Sequence, residues 1–156
     1  MDSSQKKQSF LNPFATFSSS EGKNDKAYYY QPGSPYSEAE YQEVKNLFEK
    51  CTRKSQNTKF KATSRIIEAC QKASDLTLFI DLIPNWVYVF SRVVKYEPER
   101  AVREAALKVQ HLFFKRFRTK FAQYLQDIFP SLWLARVDPS KEVAREADSA
   151  FSAAFP

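Results

Sequence analysis

Glu97-Pro98-Glu99-Arg100-Ala101-Val102-Arg103 and, 41 residues later, Asp138-Pro139-Ser140-Lys141-Glu142-Val143-Ala144 are two copies of one pattern. Each opens on an acid followed by proline, and each places valine five residues after the acid. Proline fits the first turn of a helix, where its missing N–H would have no partner, and a nearby acid complements the positive end of the helix dipole. Each copy also follows an aromatic helix interrupted by proline. Leu82-Ile83-Pro84-Asn85-Trp86 precedes the first, and Ile128-Phe129-Pro130-Ser131-Leu132-Trp133 precedes the second. A unit of about 40 residues with two helices cannot bury its apolar face alone, so such units stack.

Outward from these copies, apolar residues keep helical spacing. Ser37-Glu38-Ala39-Glu40 is a capping box, and Tyr41, Val44, Leu47, Phe48 and Cys51 fall on one face of the helix it starts. A second helix beginning near Thr58 carries Phe60, Thr63, Ile67 and Cys70. A third, from about Leu76 to Lys95, turns Phe79, Leu82, Trp86, Phe90 and Val93 inward, with a kink at Pro84. A fourth begins at Pro98 and carries Val102, Ala105, Ala106, Val109, Leu112 and Phe113. A fifth holds Phe121, Tyr124, Leu125, Ile128, Leu132 and Trp133 around an internal Pro130, and a sixth, capped by Asp138, holds Val143, Ala147 and Phe151.

The period and the pairing resemble HEAT repeats. The expected architecture is all-α: a HEAT/ARM-like helical-repeat solenoid segment of about three helix pairs over 37–156, with a flexible N-terminal tail over 1–36. The second copy departs from that pattern, because Ala144 stands where Arg103 stands in the first. This puts a ladder of acid–arginine contacts between units in question. The apolar ending Phe151-Ser152-Ala153-Ala154-Phe155-Pro156 has no polar cap, which predicts that the native chain continues past Pro156.

A chain of 156 residues fits one domain, or one domain plus a tail, and 43% hydrophobic content supplies a core. Only two glycines argue against folds built on tight turns or phosphate-cradling loops. Cys51 and Cys70 lie on helix stripes and read as buried free thiols in a reducing compartment. Two cysteines and one widely spaced histidine do not make a zinc site. No apolar run reaches membrane-spanning length, and no signal peptide is visible after Lys6 and Lys7. His111 has no Ser–Asp or Cys partner in a recognisable nucleophile context and reads as a packing or surface histidine, and Glu38 and Glu40 are explained by the helix dipole.

Charge is the informative signal. The net charge is +6, yet residues 50–72 alone carry seven basic and one acidic residue, and 98–120 carry seven and two. Arg53, Lys54, Lys59 and Lys61 surround the turn into the second helix, and Arg65 continues the face of Lys61. Lys115, Arg116, Arg118 and Lys120 surround the turn leaving the fourth. Cations on turns reach phosphates without being buried, so both blocks are candidate RNA contacts, as well as ordinary solvated faces. In the tail, Phe10-Leu11-Asn12-Pro13-Phe14-Ala15-Thr16-Phe17 exposes large apolar side chains; Phe14 and Phe17 are candidates for a motif that docks on a partner or back on the domain.

The ordered set of stretches resembles the N-terminal region of the listerin family of RING-type ubiquitin ligases. Thr52-Arg53-Lys54-Ser55 with Thr58-Lys59-Phe60-Lys61-Ala62 is similar to that family's polar-basic turn into its second helix. Arg100-Ala101-Val102-Arg103-Glu104-Ala105 is similar to the segment that opens its fourth, and Ala150-Phe151-Ser152-Ala153-Ala154-Phe155-Pro156 to the ending of the region. The resemblance implies a cytoplasmic, monomeric docking domain for stalled large ribosomal subunits in ribosome-associated quality control. Its implied neighbours are ribosomal RNA and proteins and a NEMF-family cofactor, with no membrane or small-molecule substrate. A distant RING would ubiquitinate the trapped nascent chain. The zinc-binding Cys/His set of a RING is not in this sequence, so this chain by itself is expected to be inactive as a ligase, with zinc expected only in that RING. A HEAT-type protein-binding adaptor for an acidic partner is the alternative reading.

Overall fold

The computed structural model describes residues 30–156. Among the described residues there are seven α-helices and one 3₁₀ helix, and no strand. The order is α1 (Glu38–Lys50), α2 (Gln56–Lys72), α3 (Thr77–Asp81), α4 (Ile83–Tyr96), α5 (Arg100–Phe117), the 3₁₀ helix (Arg118–Tyr124), α6 (Leu125–Ala135) and α7 (Lys141–Ala154).

Local chemistry sets the boundaries. Ser37 caps α1 in the expected box: its hydroxyl accepts from the Glu40 N–H at 3.2 Å, and the Glu40 carboxylate accepts from the Ser37 N–H at 2.7 Å. Ser55 caps α2 through the Thr58 N–H, so that helix starts at Gln56, earlier than its apolar residues suggest. The kink expected at Pro84 is a break instead. α3 ends at Asp81, and α4 restarts at Ile83 with Pro84 in its first turn, where no hydrogen bond is lost. The start of the expected fifth helix is a 3₁₀ helix, entered through Arg118, whose φ is 38°.

Helices pack as α1 with α2, α4 with α5, and α6 with α7. The first members touch in the order α1, α4, α6, and the second members in the order α2, α5, α7. α2 and α5 run in the same direction. Gln56 donates to Glu99 at their N-terminal ends, and Arg116 donates to the Ala73 carbonyl at their C-terminal ends.

The pairs share one aromatic core. Phe113 is fully buried, and its ring lies 5.4 Å from Trp86, 6.3 Å from Phe48, 6.1 Å from Phe79 and 4.9 Å from Phe117. One side chain thus joins α1, α3, α4 and α5. The buried Trp86 indole N–H donates to Gln110 at 2.8 Å. Cys51 and Cys70 are buried free thiols; burial pushes the first up to about 12 and the second to about 11.

Two inward assignments fail for one geometric reason. α2 buries Ala62, Thr63, Ile66 and Cys70, so at 100° per residue Phe60 lies well off that arc and is half exposed, while Ile67 is only partly buried. The inward position one turn before Thr63 belongs to Lys59. In α6 the buried set is Ile128, Ser131, Leu132 and Ala135, which leaves Trp133 on the opposite side, 52% exposed.

Phe113→Ala removes the ring common to four helices. The expected loss is about 4 kcal/mol of unfolding free energy, read from the urea midpoint at unchanged slope.

Candidate nucleic-acid interface

Two buried ion pairs hold the second members of the pairs in line. Lys59 of α2 binds Glu97, and Arg103 of α5 grips Asp138 through Nε at 2.8 Å and Nη2 at 3.0 Å. The spacing is identical in both. Each cation sits four residues after its helix N-cap, Ser55 or Glu99. Each acid sits two residues before the next N-cap, Glu99 or Ser140. Each carboxylate also accepts the N–H of that N-cap residue, Glu97 from Glu99 at 3.1 Å and Asp138 from Ser140 at 2.9 Å. Arg103 Nη1 adds bonds to the Glu97 and Pro98 carbonyls at 2.9 and 3.0 Å. The acid–cation ladder is therefore present between units. It stops at α7, where Ala144 holds the equivalent position.

Burial raises the Asp138 carboxyl pKa, but the Arg103 hydrogen bonds, the Ser140 N–H and the Arg103 charge together outweigh it and leave the group below its ordinary value. A carboxylate with a depressed folded pKa stabilises the fold above its unfolded value and loses that contribution as pH falls through the folded one.

The ladder takes Lys59 out of the solvent-facing set: its side chain is 12% exposed and paired. The other basic residues singled out above are placed differently. Arg53 and Lys54 lie exposed on the turn before α2, and Lys61 and Arg65 on its exposed face. Lys115 and Arg116 end α5, and Arg118 and Lys120 lie in the 3₁₀ helix, all exposed. Because α2 and α5 are parallel, the two basic turns occupy opposite ends of the molecule. A helix the length of α2 separates them, about 25 Å. Lys61, Arg65 and Lys72 share one face of α2 at helical spacing and bridge that distance. Among the described residues, Arg53, Lys54, Lys61, Arg65, Lys115, Arg118 and Lys120 form no ion pair, whereas Lys72 pairs with Glu68 and Arg100 with Glu142. Phe14 and Phe17 lie outside the described residues.

An aromatic face ends the row of pairs. Phe129, Trp133 and Phe155 are exposed; Phe129 stacks on Trp133, and all three rings pack edge-on or tilted against Phe151. Arg136 lies 4.9 Å from the Trp133 ring and 4.4 Å from Phe151, held by Asp148 at 2.6 Å. Sequence reading found only the Phe151–Phe155 part of this face, because Trp133 had been turned inward. His111 pairs with Glu146 of α7 at 3.3 Å. No group of three or more His, Cys, Asp or Glu side chains fit for a metal occurs among the described residues. Nor is any helix there long and apolar enough to cross a membrane.

The fold is a helical domain built of laddered helix pairs, with exposed cations outside that form no ion pair among the described residues. The chain belongs to the listerin family: the model of the N-terminal domain of the E3 ubiquitin-protein ligase listerin matches residues 36–156. Comparison with curated proteins and with solved structures found no match.

Three substitutions test the ladder, one of them against an exposed pair outside it. Arg103→Ala strands a mostly buried Asp138 and is expected to cost about 3 kcal/mol. Arg100→Ala breaks only an exposed pair and is expected to cost under ~0.5 kcal/mol in the same urea titration. Asp138→Asn is expected to flatten the loss of stability below about pH 4, the window where the wild-type carboxylate takes up its proton.

Proposed function

We propose that this domain docks a listerin-type ubiquitin-protein ligase on stalled large ribosomal subunits, in cytoplasmic ribosome-associated quality control. The observation that carries this reading is the run of exposed, unpaired cations from Arg53 and Lys54, along Lys61 and Arg65, to the turn at Lys115–Lys120. Such a run matches a phosphate backbone, where affinity comes from cations that displace counterions. Ubiquitin transfer belongs to a RING outside this sequence. A NEMF-family cofactor on the same subunit is the proposed neighbour.

In this reading the domain is a segment of a HEAT-like solenoid. The equivalence of the pairs supports it. Ile83, Val87, Gln110 and Phe114 are buried in the α4–α5 pair. Aligned through the prolines of α4 and α6 and through Arg103 and Ala144, they correspond to Phe129, Trp133, Phe151 and Phe155 of the α6–α7 pair. Those four form the aromatic end face, so positions fully covered in one pair are aromatic and exposed in the next, or in the case of Phe151 partly so.

Co-sedimentation with purified large subunits, against intact ribosomes, tests the proposal. Binding is expected only to the free large subunit, and to weaken ~100-fold between 50 and 200 mM salt if about four phosphates are contacted. A chain carrying Lys54, Lys61, Lys115 and Lys120 all changed to Glu keeps the ladder and the core and is expected to lose binding. Retained binding by that variant, or tight binding to an acidic protein with none to the subunit, overturns the proposal.

A further inference from the structure

We infer that a groove at the α1–α2 end of the domain receives the chain's own Phe10–Phe17 segment. The groove has a volume of about 450 Å³ and lies between α1, the C-terminal end of α2, and α3. Val44, Leu47 and Leu78 give it apolar walls. Glu40, Glu43 and Asp75 stand on its rim. Hydrogen bonds hold two of these carboxylates below their ordinary pKa, the Ser37 N–H and hydroxyl that of Glu40 and the Thr77 hydroxyl and N–H that of Asp75, so both are ionised at neutral pH. Lys72 also lines the groove, but Glu68 engages it at 2.6 Å. In a chain of net charge +6, this acid-rimmed apolar groove calls for a basic and aromatic occupant.

The tail supplies both properties together. Phe10, Leu11, Phe14 and Phe17 follow directly on Lys6 and Lys7, and no carboxylate occurs between Asp2 and Glu21. The chain also enters the fold beside the groove. The Tyr30 ring lies 6.1 Å from both Tyr36 and Tyr41, and Tyr36 is itself a groove residue. Residues 18–29 connect the segment to that point, and twelve residues span up to ~40 Å. Tethering at this length presents the segment at an effective concentration on the order of millimolar, so a weak apolar contact assisted by lysine–carboxylate attraction fills the groove.

A spin label at position 18 tests this in the whole chain. Ser18→Cys gives a selective site, because Cys51 and Cys70 are buried with raised thiol pKa values. Amide signals from 40–47 and 72–79 are expected to lose more than half their intensity, independently of protein concentration. Adding F10A, F14A and F17A to the labelled chain is expected to restore them, and Glu43→Lys to restore them in part. Unchanged groove signals overturn the inference. So does broadening centred on the α6–α7 aromatic face, or broadening that disappears on dilution, which assigns the contact to a second copy.

Discussion

The pairing of Arg103 with Asp138, and of Lys59 with Glu97, is the constraint on which the arrangement of the helix pairs depends. Apolar packing supplies most of the favourable free energy, but it is nearly indifferent to small slides of one helix along another. A mostly buried cation four residues into one helix and an acid two residues before the next N-cap have only one register in which both are satisfied. Any slip leaves a charge buried without its partner, which costs more than the pair contributes. The ladder therefore selects the alignment, and the rings around Phe113 stabilise it. Parallel α2 and α5 follow from that register, and so does the separation of the two basic turns to opposite ends of α2.

That separation shapes the candidate interface. Two isolated turns about 25 Å apart would meet two distant phosphate groups. With Lys61 and Arg65 on the exposed face of α2 between them, exposed cations occur along the length of that helix. An extended distribution of cations suits a nucleic-acid backbone better than a compact acidic site on a protein. The opposite chemistry sits elsewhere, with carboxylates around the groove beside α1 and aromatic rings on the α6–α7 face. The surface thus carries three regions of different chemistry, all placed by one stack of helix pairs.

Much of this was legible in the sequence. The repeated acid–Pro–Val pattern located the second member of two of the three pairs, and the Ser37 box located the first helix, because both signals are local. What escaped was tertiary. Lys59 reads as a surface cation, and only the arrival of Glu97 from another unit makes it a mostly buried, paired one. Phe60 and Trp133 read as core because they fit a helically spaced apolar stripe, yet the phase of each helix turns them outward. The ladder was put in question by Ala144, which in fact marks only its last step. The exposed cations were identified by residue number, but the placing of the two basic turns at opposite ends of α2 required knowing that α2 and α5 are parallel.

An electron cryomicroscopy reconstruction of the domain bound to free large ribosomal subunits tests the central claim most directly. The account predicts that Lys61, Arg65 and the Lys115–Lys120 turn face ribosomal RNA phosphates, with the ladder buried behind them and the α6–α7 aromatic face turned away from RNA. A bound domain whose α2 edge faces solvent, and which meets the subunit through the aromatic face alone, would contradict it.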